Sequence, residues 1–173
     1  YGLEGVFKKR AKHTFGLLNG MDTAIWNPAA DTLIPSRFSL DDLSGKIENK
    51  KALCERFGLP YSDSVPVIGI VSRLADQKGF DLVQEKMEAL LGENLQLVVL
   101  GSGEKKYEEF FTKTAKKNAK KMGVHIGFDE PLAHLIEAGS DMFLMPSKYE
   151  PCGLNQMYSL QYGTLPIVRA TGG

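Results

Sequence analysis

From Val65 onward the sequence repeats one pattern, in which short apolar runs alternate with longer amphipathic stretches. Short apolar runs bounded by turn residues are typical of buried strands, and apolar residues at three- and four-residue spacing are typical of helices that pack on one face. This alternation predicts a parallel sheet whose strands are joined by crossover helices. We therefore predict an α/β fold with an open parallel sheet of about five strands and helices on both faces.

The pattern places a series of strands, each followed by a helix until the last. The strands are expected at residues 66–71, 95–100, 124–126, 141–145 and 165–168. The helices are expected at residues 79–91, 104–122, 131–138 and 154–162. A further helical pattern covers residues 41–57 and is stopped by Gly58 and Pro60. Asp129, followed by Pro131, is the expected N-cap of the helix at 131–138.

Residues 1–40 show no sustained helical or strand period and contain turn signals such as Asn19-Gly20. We interpret this stretch as the end of a preceding domain together with an interdomain linker, and residues 41–173 as the ligand-binding domain. The chain starts without Met and ends in Gly172-Gly173, which looks like a turn that awaits another element. We therefore expect a piece of a longer protein, truncated within the C-terminal part of this domain.

The composition argues against several classes of function. With 21 basic and 21 acidic residues, the chain has no overall field that would attract nucleic acid or an anionic membrane. No apolar run approaches the ~20 residues that a membrane helix needs. Cys54 and Cys152 lie far apart and the histidines lack metal-ligand spacing, so we expect no metal site and no disulfide. A reducing, cytoplasmic location is the default expectation.

Two cations follow the first predicted strand. Arg73 comes just past its carboxyl end, and Lys78 is placed at the amino end of the next helix. The helix dipole repels a cation there by roughly a few tenths of a kcal/mol, so an anion shared by Lys78 and the first-turn amides would relieve the conflict. Phosphate is the usual anion at such a position. The alternative is that both residues are exposed and only increase solubility.

The last part of the chain, residues 150–173, combines a carboxylate with glycine turns. Glu150 follows the fourth predicted strand, Gly153 precedes a short helix, and Thr171-Gly172-Gly173 follows the fifth strand. The carboxyl ends of parallel strands meet at one edge of the sheet, where open α/β sheets bind ligands. Cations and turn amides suit a diphosphate, and an ionised carboxylate accepts hydrogen bonds from sugar hydroxyls. A nucleotide sugar contains both a diphosphate and sugar hydroxyls, so it is the ligand that fits both sets of residues.

Other ligand motifs are incomplete or missing. Gly101-Ser102-Gly103 begins like a dinucleotide fingerprint, but Lys106 stands where the third glycine is needed. The sequence contains neither a P-loop motif nor a nucleophile elbow. These observations disfavour an NAD-dependent enzyme, a P-loop nucleotidase and a serine hydrolase.

Five strings in this sequence resemble those of bacterial glycogen synthases and plant starch synthases, the retaining glycosyltransferases of family 5 with the GT-B fold. The strings are Leu-Asn-Gly-Met-Asp-x-x-x-Trp-Asn-Pro at 18–28, Ser-Arg-Leu-x-x-Gln-Lys-Gly-x-Asp at 72–81, Gly-Phe-Asp-Glu at 127–130, Pro-Ser-Lys-Tyr-Glu-Pro-Cys-Gly-Leu-Asn-Gln at 146–156 and Tyr-Gly-Thr-Leu-Pro-Ile-Val-Arg-Ala-Thr-Gly-Gly at 162–173. The resemblance runs almost from end to end. It identifies the chain as a truncated, Rossmann-like C-terminal domain of such an enzyme.

The resemblance implies transfer of glucose from ADP-glucose to the non-reducing end of an α-1,4-glucan, with retention and without a cofactor or metal. Its partners would be ADP-glucose and the glucan, with neither nucleic acid nor membrane, and its location would be the cytoplasm, or the plastid in a plant. The resemblance also implies that an N-terminal domain outside these 173 residues completes the active site, so we expect weak ADP binding and no transfer by the isolated piece. The alternative is a noncatalytic nucleotide- or glucan-binding module.

By the same resemblance, Arg73 and Lys78 would hold the diphosphate and Glu150 would bind glucose hydroxyls as the catalytic set. The expected substrate-binding residues are Cys152, Gly153 and Leu154 at the sugar phosphate, and Thr171, Gly172 and Gly173, through their amides, at the distal phosphate. Related GT-B families carry a second Glu eight positions after the first, where this chain has Tyr158. Ribose recognition therefore has no assigned residue, with Tyr158 and Arg169 as the open candidates.

Overall fold

The computed structural model describes residues 2–172. Its strands are β1 (Val67–Val71), β2 (Gln96–Gly101), β3 (Met122–Ile126), β4 (Met142–Met145) and β5 (Leu165–Val168). Its helices are α1 (Glu4–Lys9), α2 (Ser44–Phe57), α3 (Phe80–Gly92), α4 (Lys105–Lys117), α5 (Glu130–Gly139) and α6 (Leu154–Gln161), with short 3-10 turns at Ala11–His13 and Asp76–Lys78. Within this described part no helix combines the length and apolar character that a membrane crossing requires.

The strands form one sheet in the order β3-β2-β1-β4-β5, and every neighbouring pair is parallel. The chain first moves from β1 outward to β2 and β3, and then returns to place β4 on the other side of β1. The direction of the strand order therefore reverses between β1 and β4, which is where such sheets bind ligands. The predicted open parallel sheet of five strands is confirmed.

Apolar residues cover both faces of the sheet. On one face Ile70 of β1 packs in a buried cluster with Phe80 of α3 and Phe111 of α4. On the other face Val67 of β1 packs with Ile136 of α5 and with residues of α2. Successive strand residues point to opposite faces, so a strand that is apolar at every position is stable only when both faces are covered. The prediction of helices on both faces is confirmed.

One predicted helix ends too late, and one helix of the structure was not predicted. The helix predicted at 104–122 ends at Lys117, and Met122 instead opens β3, where its side chain is buried in the core. The Asn118 carbonyl accepts hydrogen bonds from the amides of Lys121 and Met122, so a tight turn separates the two elements. A run rich in lysine does not show where the exposed helix stops. The short helix α1 was not predicted either, because it buries no residue and so has no apolar face to detect.

The stretch between Trp26 and Phe38 packs against the domain. The Trp26 ring stacks between His134 of α5 and Tyr158 of α6, with both centroid distances 3.9 Å. Asp31, which is only 5% exposed, accepts a hydrogen bond from Tyr162 at 2.5 Å. The domain boundary at residue 40 stays a prediction, but this part of the predicted linker is anchored on α5 and α6.

A carboxyl group is buried between α5 and α6. Glu137 Oε2 lies 2.8 Å from Ser159 Oγ, which is also 2.9 Å from the Asn155 carbonyl oxygen. A hydroxyl has one proton, so Ser159 can donate to only one of these oxygens at a time. Burial raises the pKa of Glu137 to about 8. A protonated Glu137 that donates to Ser159, which in turn donates to Asn155, satisfies all three groups.

We expect Glu137→Gln to change how the free energy of unfolding depends on pH. Between about pH 5 and pH 7 the folded chain keeps the Glu137 proton while the unfolded chain loses it, so wild-type stability falls as pH rises. Glutamine does not titrate, so the wild type should lose stability relative to this variant by at most about 1.4 kcal/mol per pH unit. Urea unfolding at several pH values measures the difference.

The control is Glu88→Gln, because Glu88 is exposed on α3. Its unfolding free energy should run parallel to that of the wild type across the same pH range. Parallel curves for Glu137→Gln as well would contradict a buried, neutral Glu137.

Candidate active site

The loops that follow β1 and β4 enclose a cleft at the point where the strand order reverses. Its volume is about 230 Å³, and its walls come from the end of β1, the loop after it, the loop after β4 and the start of α6. The lining residues are Val71, Ser72, Arg73, Lys78, Met145, Glu150, Gly153, Leu154 and Asn155. Three of the predicted binding residues after β4 and both predicted cations therefore border one cleft, although Lys78 and Glu150 are 72 positions apart in the chain.

Lys78 and Glu150 form an ion pair across this cleft. Lys78 Nζ lies 2.5 Å from Glu150 Oε2, and the side chains are 21% and 14% exposed. Ser147 Oγ donates to the same carboxylate oxygen at 3.1 Å. Lys78 ends a 3-10 turn, just before Gly79 caps α3. A side chain of the protein itself, Glu150, thus provides a counter-anion for Lys78. The phosphate expected between Lys78 and the first-turn amides stays a prediction.

Gln77 connects Arg73 to the loop that carries Glu150. Arg73 Nη2 donates to Gln77 Oε1 at 3.2 Å, and Gln77 Nε2 donates to the Tyr149 carbonyl oxygen at 2.9 Å. The Lys148 amide donates to the Gln77 carbonyl oxygen at 2.9 Å. The last two hydrogen bonds join the two loops, and the first ties Arg73 to Gln77 within its own loop. Gln77 therefore bridges the loops that carry the guanidinium and the carboxylate, a role that was not predicted for it.

The two loops approach each other closely at Gly79. This glycine has φ +75°, a left-handed conformation that disfavours a side chain. A Cβ atom there would also overlap the carbonyl oxygen of Pro146. Glycine at this position is therefore required both by the backbone conformation and by the contact between the loops.

The start of α6 forms the remaining wall. Gly153 caps the helix with φ +75° and ψ 67°, which turns the chain from the loop into Leu154. Asn155 Nδ2 donates to the Val71 carbonyl oxygen at 2.8 Å, which ties α6 to the end of β1. Asn155 belongs to one of the strings that resemble the family, but no role was predicted for it. Its position two residues after a capping glycine was the signal that could have found it.

The other predicted residues lie around the cleft. Thr171 Oγ1 donates to the Lys148 carbonyl oxygen at 3.3 Å, and Gly172, with φ +82°, lies against the backbone of Glu150. Cys152 is half-buried, and its Sγ lies 3.8 Å from the carbonyl oxygen of Asn19. Gly173 is outside the described residues. The roles assigned to these residues, like those of the cleft residues, stay predictions.

A second cleft of about 310 Å³ continues the first along the ends of β1 and β2. Both clefts share the residues Val71, Ser72, Arg73 and Asn155. The second is also bordered by Phe128, a residue that is 90% exposed. Asp129 borders it too and caps α5 by accepting from the Leu132 amide at 3.0 Å. Together the clefts form one groove at the sheet edge. Tyr158, a candidate for ribose recognition, instead has its ring stacked on Trp26.

The fold is that of a glycosyltransferase domain, and residues 55–173 match the family model for glycosyl transferases group 1. The chain belongs to this family. It is 56% identical to glycogen synthase from Myxococcus xanthus and 53% identical to that from Koribacter versatilis, covering 100% of the chain and 36% of each relative. It therefore spans about a third of the length of these relatives.

Among solved structures, the catalytic domain of starch synthase IV from Arabidopsis thaliana, bound to ADP and acarbose, matches with a TM-score of 0.92. The identity is 39%, and the match covers 99% of this chain and 36% of that one. A glycosyltransferase from lipopolysaccharide biosynthesis, at 18% identity and a TM-score of 0.62, shares the fold. The predicted GT-B-type architecture is confirmed by these matches.

We expect Gly79→Ala to destabilise the domain more than a matched glycine substitution. The control is Gly58→Ala, because Gly58 has φ +66° but no atom within 4 Å of the point where a Cβ would lie. Left-handed strain alone costs about 1 kcal/mol, so Gly58→Ala should lose about that much. Gly79→Ala adds overlap with Pro146 and should lose at least about 2 kcal/mol. Equal losses in urea unfolding would contradict the close approach of the loops.

Proposed function

We propose that the full-length protein transfers glucose from ADP-glucose to the non-reducing end of an α-1,4-glucan, with retention, as a glycogen or starch synthase. The similarity to glycogen synthases at 53% and 56% identity supports this reaction. So does the similarity to a starch synthase domain whose structure contains ADP and acarbose. In this proposal the chain supplies the donor-binding half of the active site, and the acceptor glucan also contacts the N-terminal domain of the full-length protein.

The observation that carries the proposal is the convergence of Arg73, Lys78 and Glu150 on one cleft at the switch point of the sheet. Cleavage of the bond between glucose and ADP places negative charge on the departing diphosphate. Fixed cations that point at developing charge stabilise the transition state more than the ground state. Lys78 acts as a compact charge and Arg73 as a planar, two-pronged donor to the same diphosphate. The proposed reaction needs no cofactor or metal.

In this proposal Glu150 binds the glucose. Both of its hydrogen bonds within the described chain, from Lys78 and Ser147, fall on Oε2. Oε1 is therefore available to accept hydrogen bonds from sugar hydroxyls, which are donors. Since Lys78 contacts the same carboxylate, the sugar and the diphosphate would meet between these two side chains. At that junction the bond between glucose and ADP breaks.

The rest of the groove accommodates the other parts of the donor in this proposal. Gly153 and Leu154 in the groove, with Cys152 beside it, contact the sugar phosphate. The predicted role of the Thr171, Gly172 and Gly173 amides is to contact the distal phosphate. The second cleft, with its exposed Phe128 ring, takes the ribose and the planar base, because aromatic rings stack on bases. This arrangement runs the donor along the carboxyl ends of β4, β1 and β2.

We place the protein in the cytoplasm, or in the plastid if it comes from a plant. Cys54 and Cys152 are both free cysteines, which accords with a reducing compartment. ADP-glucose and the glucan are the proposed partners.

We expect Lys78→Ala in the full-length protein to lower kcat/KM for ADP-glucose by roughly 10²- to 10³-fold, as when one preorganised donor to developing charge is lost. Initial rates of glucosyl transfer to glycogen measure the effect. Lys86→Ala is the matched control, because Lys86 is 73% exposed on α3 and pairs with its neighbour Glu85. Near-normal turnover in Lys78→Ala would contradict the proposal that this cleft stabilises the departing diphosphate.

Calorimetric titration together with a glucosyl-transfer assay separates the proposed enzyme from a noncatalytic module. Full-length protein should bind ADP and ADP-glucose and should prefer both to UDP, and it should transfer glucose to glycogen. Binding of ADP-glucose without any transfer would support the noncatalytic module and contradict the proposed reaction.

A further inference from the structure

We propose that Ser147 is a positioning residue that fixes the Glu150 carboxylate in the orientation in which it receives the glucose of the donor. This inference rests on the proposed function, since it concerns the sugar side of the same cleft.

Ser147 is buried in the loop that carries Glu150. It follows the last residue of β4, Met145, by two positions and is 1% exposed. Its hydroxyl donates to Glu150 Oε2 at 3.1 Å, three residues further along the loop. Because Ser147 follows a strand of the sheet so closely, its hydroxyl is held by the rigid part of the fold. The carboxylate is thereby connected to the sheet edge by a short, fixed link.

The second contact to Glu150 has a different character. Lys78 Nζ contacts the same oxygen at 2.5 Å, but Lys78 has a flexible stem and is proposed to serve the diphosphate. When a diphosphate occupies the cleft, it competes with Glu150 for the ammonium group. The Ser147 hydroxyl has no other hydrogen-bond partner within the described chain, so its contact with Glu150 persists. Ser147 is therefore the contact that keeps Oε1 available to the sugar throughout donor binding.

A carboxylate without this contact can rotate about three side-chain bonds and sample orientations in which Oε1 no longer faces the glucose. Loss of position at a reacting centre lowers the rate even when no group that contacts the substrate is removed. ADP lacks the glucose and meets Glu150 only through their competition for Lys78, so its affinity should depend on the orientation of Glu150 far less than the reaction of ADP-glucose does. A positioning role thus predicts a selective effect on ADP-glucose, whereas a merely structural role predicts equal effects on both ligands.

The test compares full-length wild type with Ser147→Ala. We expect the Kd for ADP, measured by calorimetric titration, to stay within about twofold, and kcat/KM for ADP-glucose to fall by roughly 10- to 100-fold. Ser140→Ala is the matched control. Ser140 is a fully buried serine at the opposite end of β4, and its hydroxyl has no hydrogen-bond partner in the described chain. This control should leave both quantities unchanged.

A double-mutant cycle with Glu150→Gln tests whether Ser147 acts through Glu150. If it does, adding Ser147→Ala to Glu150→Gln should lower kcat/KM little further, because coupled residues are not additive. Full additivity, or an equal loss of ADP and ADP-glucose affinity in Ser147→Ala, would overturn the inference.

Ser147→Cys keeps a weaker donor at the same place and should show an intermediate loss, which gives a second variant if Ser147→Ala does not fold. Failure of both variants to fold would assign Ser147 a structural role and overturn the inference. A wild type that binds ADP-glucose without transferring glucose would overturn the proposed reaction, and the affinities would still decide the role of Ser147. Absence of ADP-glucose binding would overturn both.

Discussion

The coverage of the parallel sheet on both faces is the constraint on which the rest of the structure depends. Strands that are apolar at every position must be sandwiched between helices, so the chain crosses over after each strand. The helix after β1 packs on one face, beside α4, whereas the helix after β4 packs against α5 on the other. The two connecting loops therefore diverge at the sheet edge and leave a groove between them. The site is a consequence of how the core is covered.

Contacts between these loops convert the groove into a defined site. Gly79 lets the backbone of one loop touch that of the other, and Gln77 bridges the two by hydrogen bonds. The ion pair between Lys78 and Glu150 then places opposite charges at the junction. A ligand with an anionic part and a hydroxylated part can exchange its own groups for this pair. A nucleotide sugar, the proposed donor, has both of these parts.

Much of this could be predicted from local pattern. The period of apolar residues predicted the parallel sheet, and Asp129 was correctly expected as an N-cap, since it accepts from the Leu132 amide. For exposed residues, the local sequence pattern gave either no prediction or a wrong one. The exposed end of α4 was predicted to extend to Met122, although the core needs that side chain in β3. Asn155 and Gln77 were not assigned roles, because their hydrogen-bond partners lie far away in the sequence.

The sequence by itself determined the fold class, the family and the residue types at the ends of β1 and β4, because hydrophobic period and short motifs are properties of neighbouring residues. Only the tertiary structure decided that Lys78 pairs with Glu150, that Ser147 shares the same carboxylate oxygen, and that Tyr158 turns its ring to Trp26. These outcomes depend on which loops the sheet order brings together. Contacts between residues distant in sequence are set by packing of the whole domain, which no local pattern encodes.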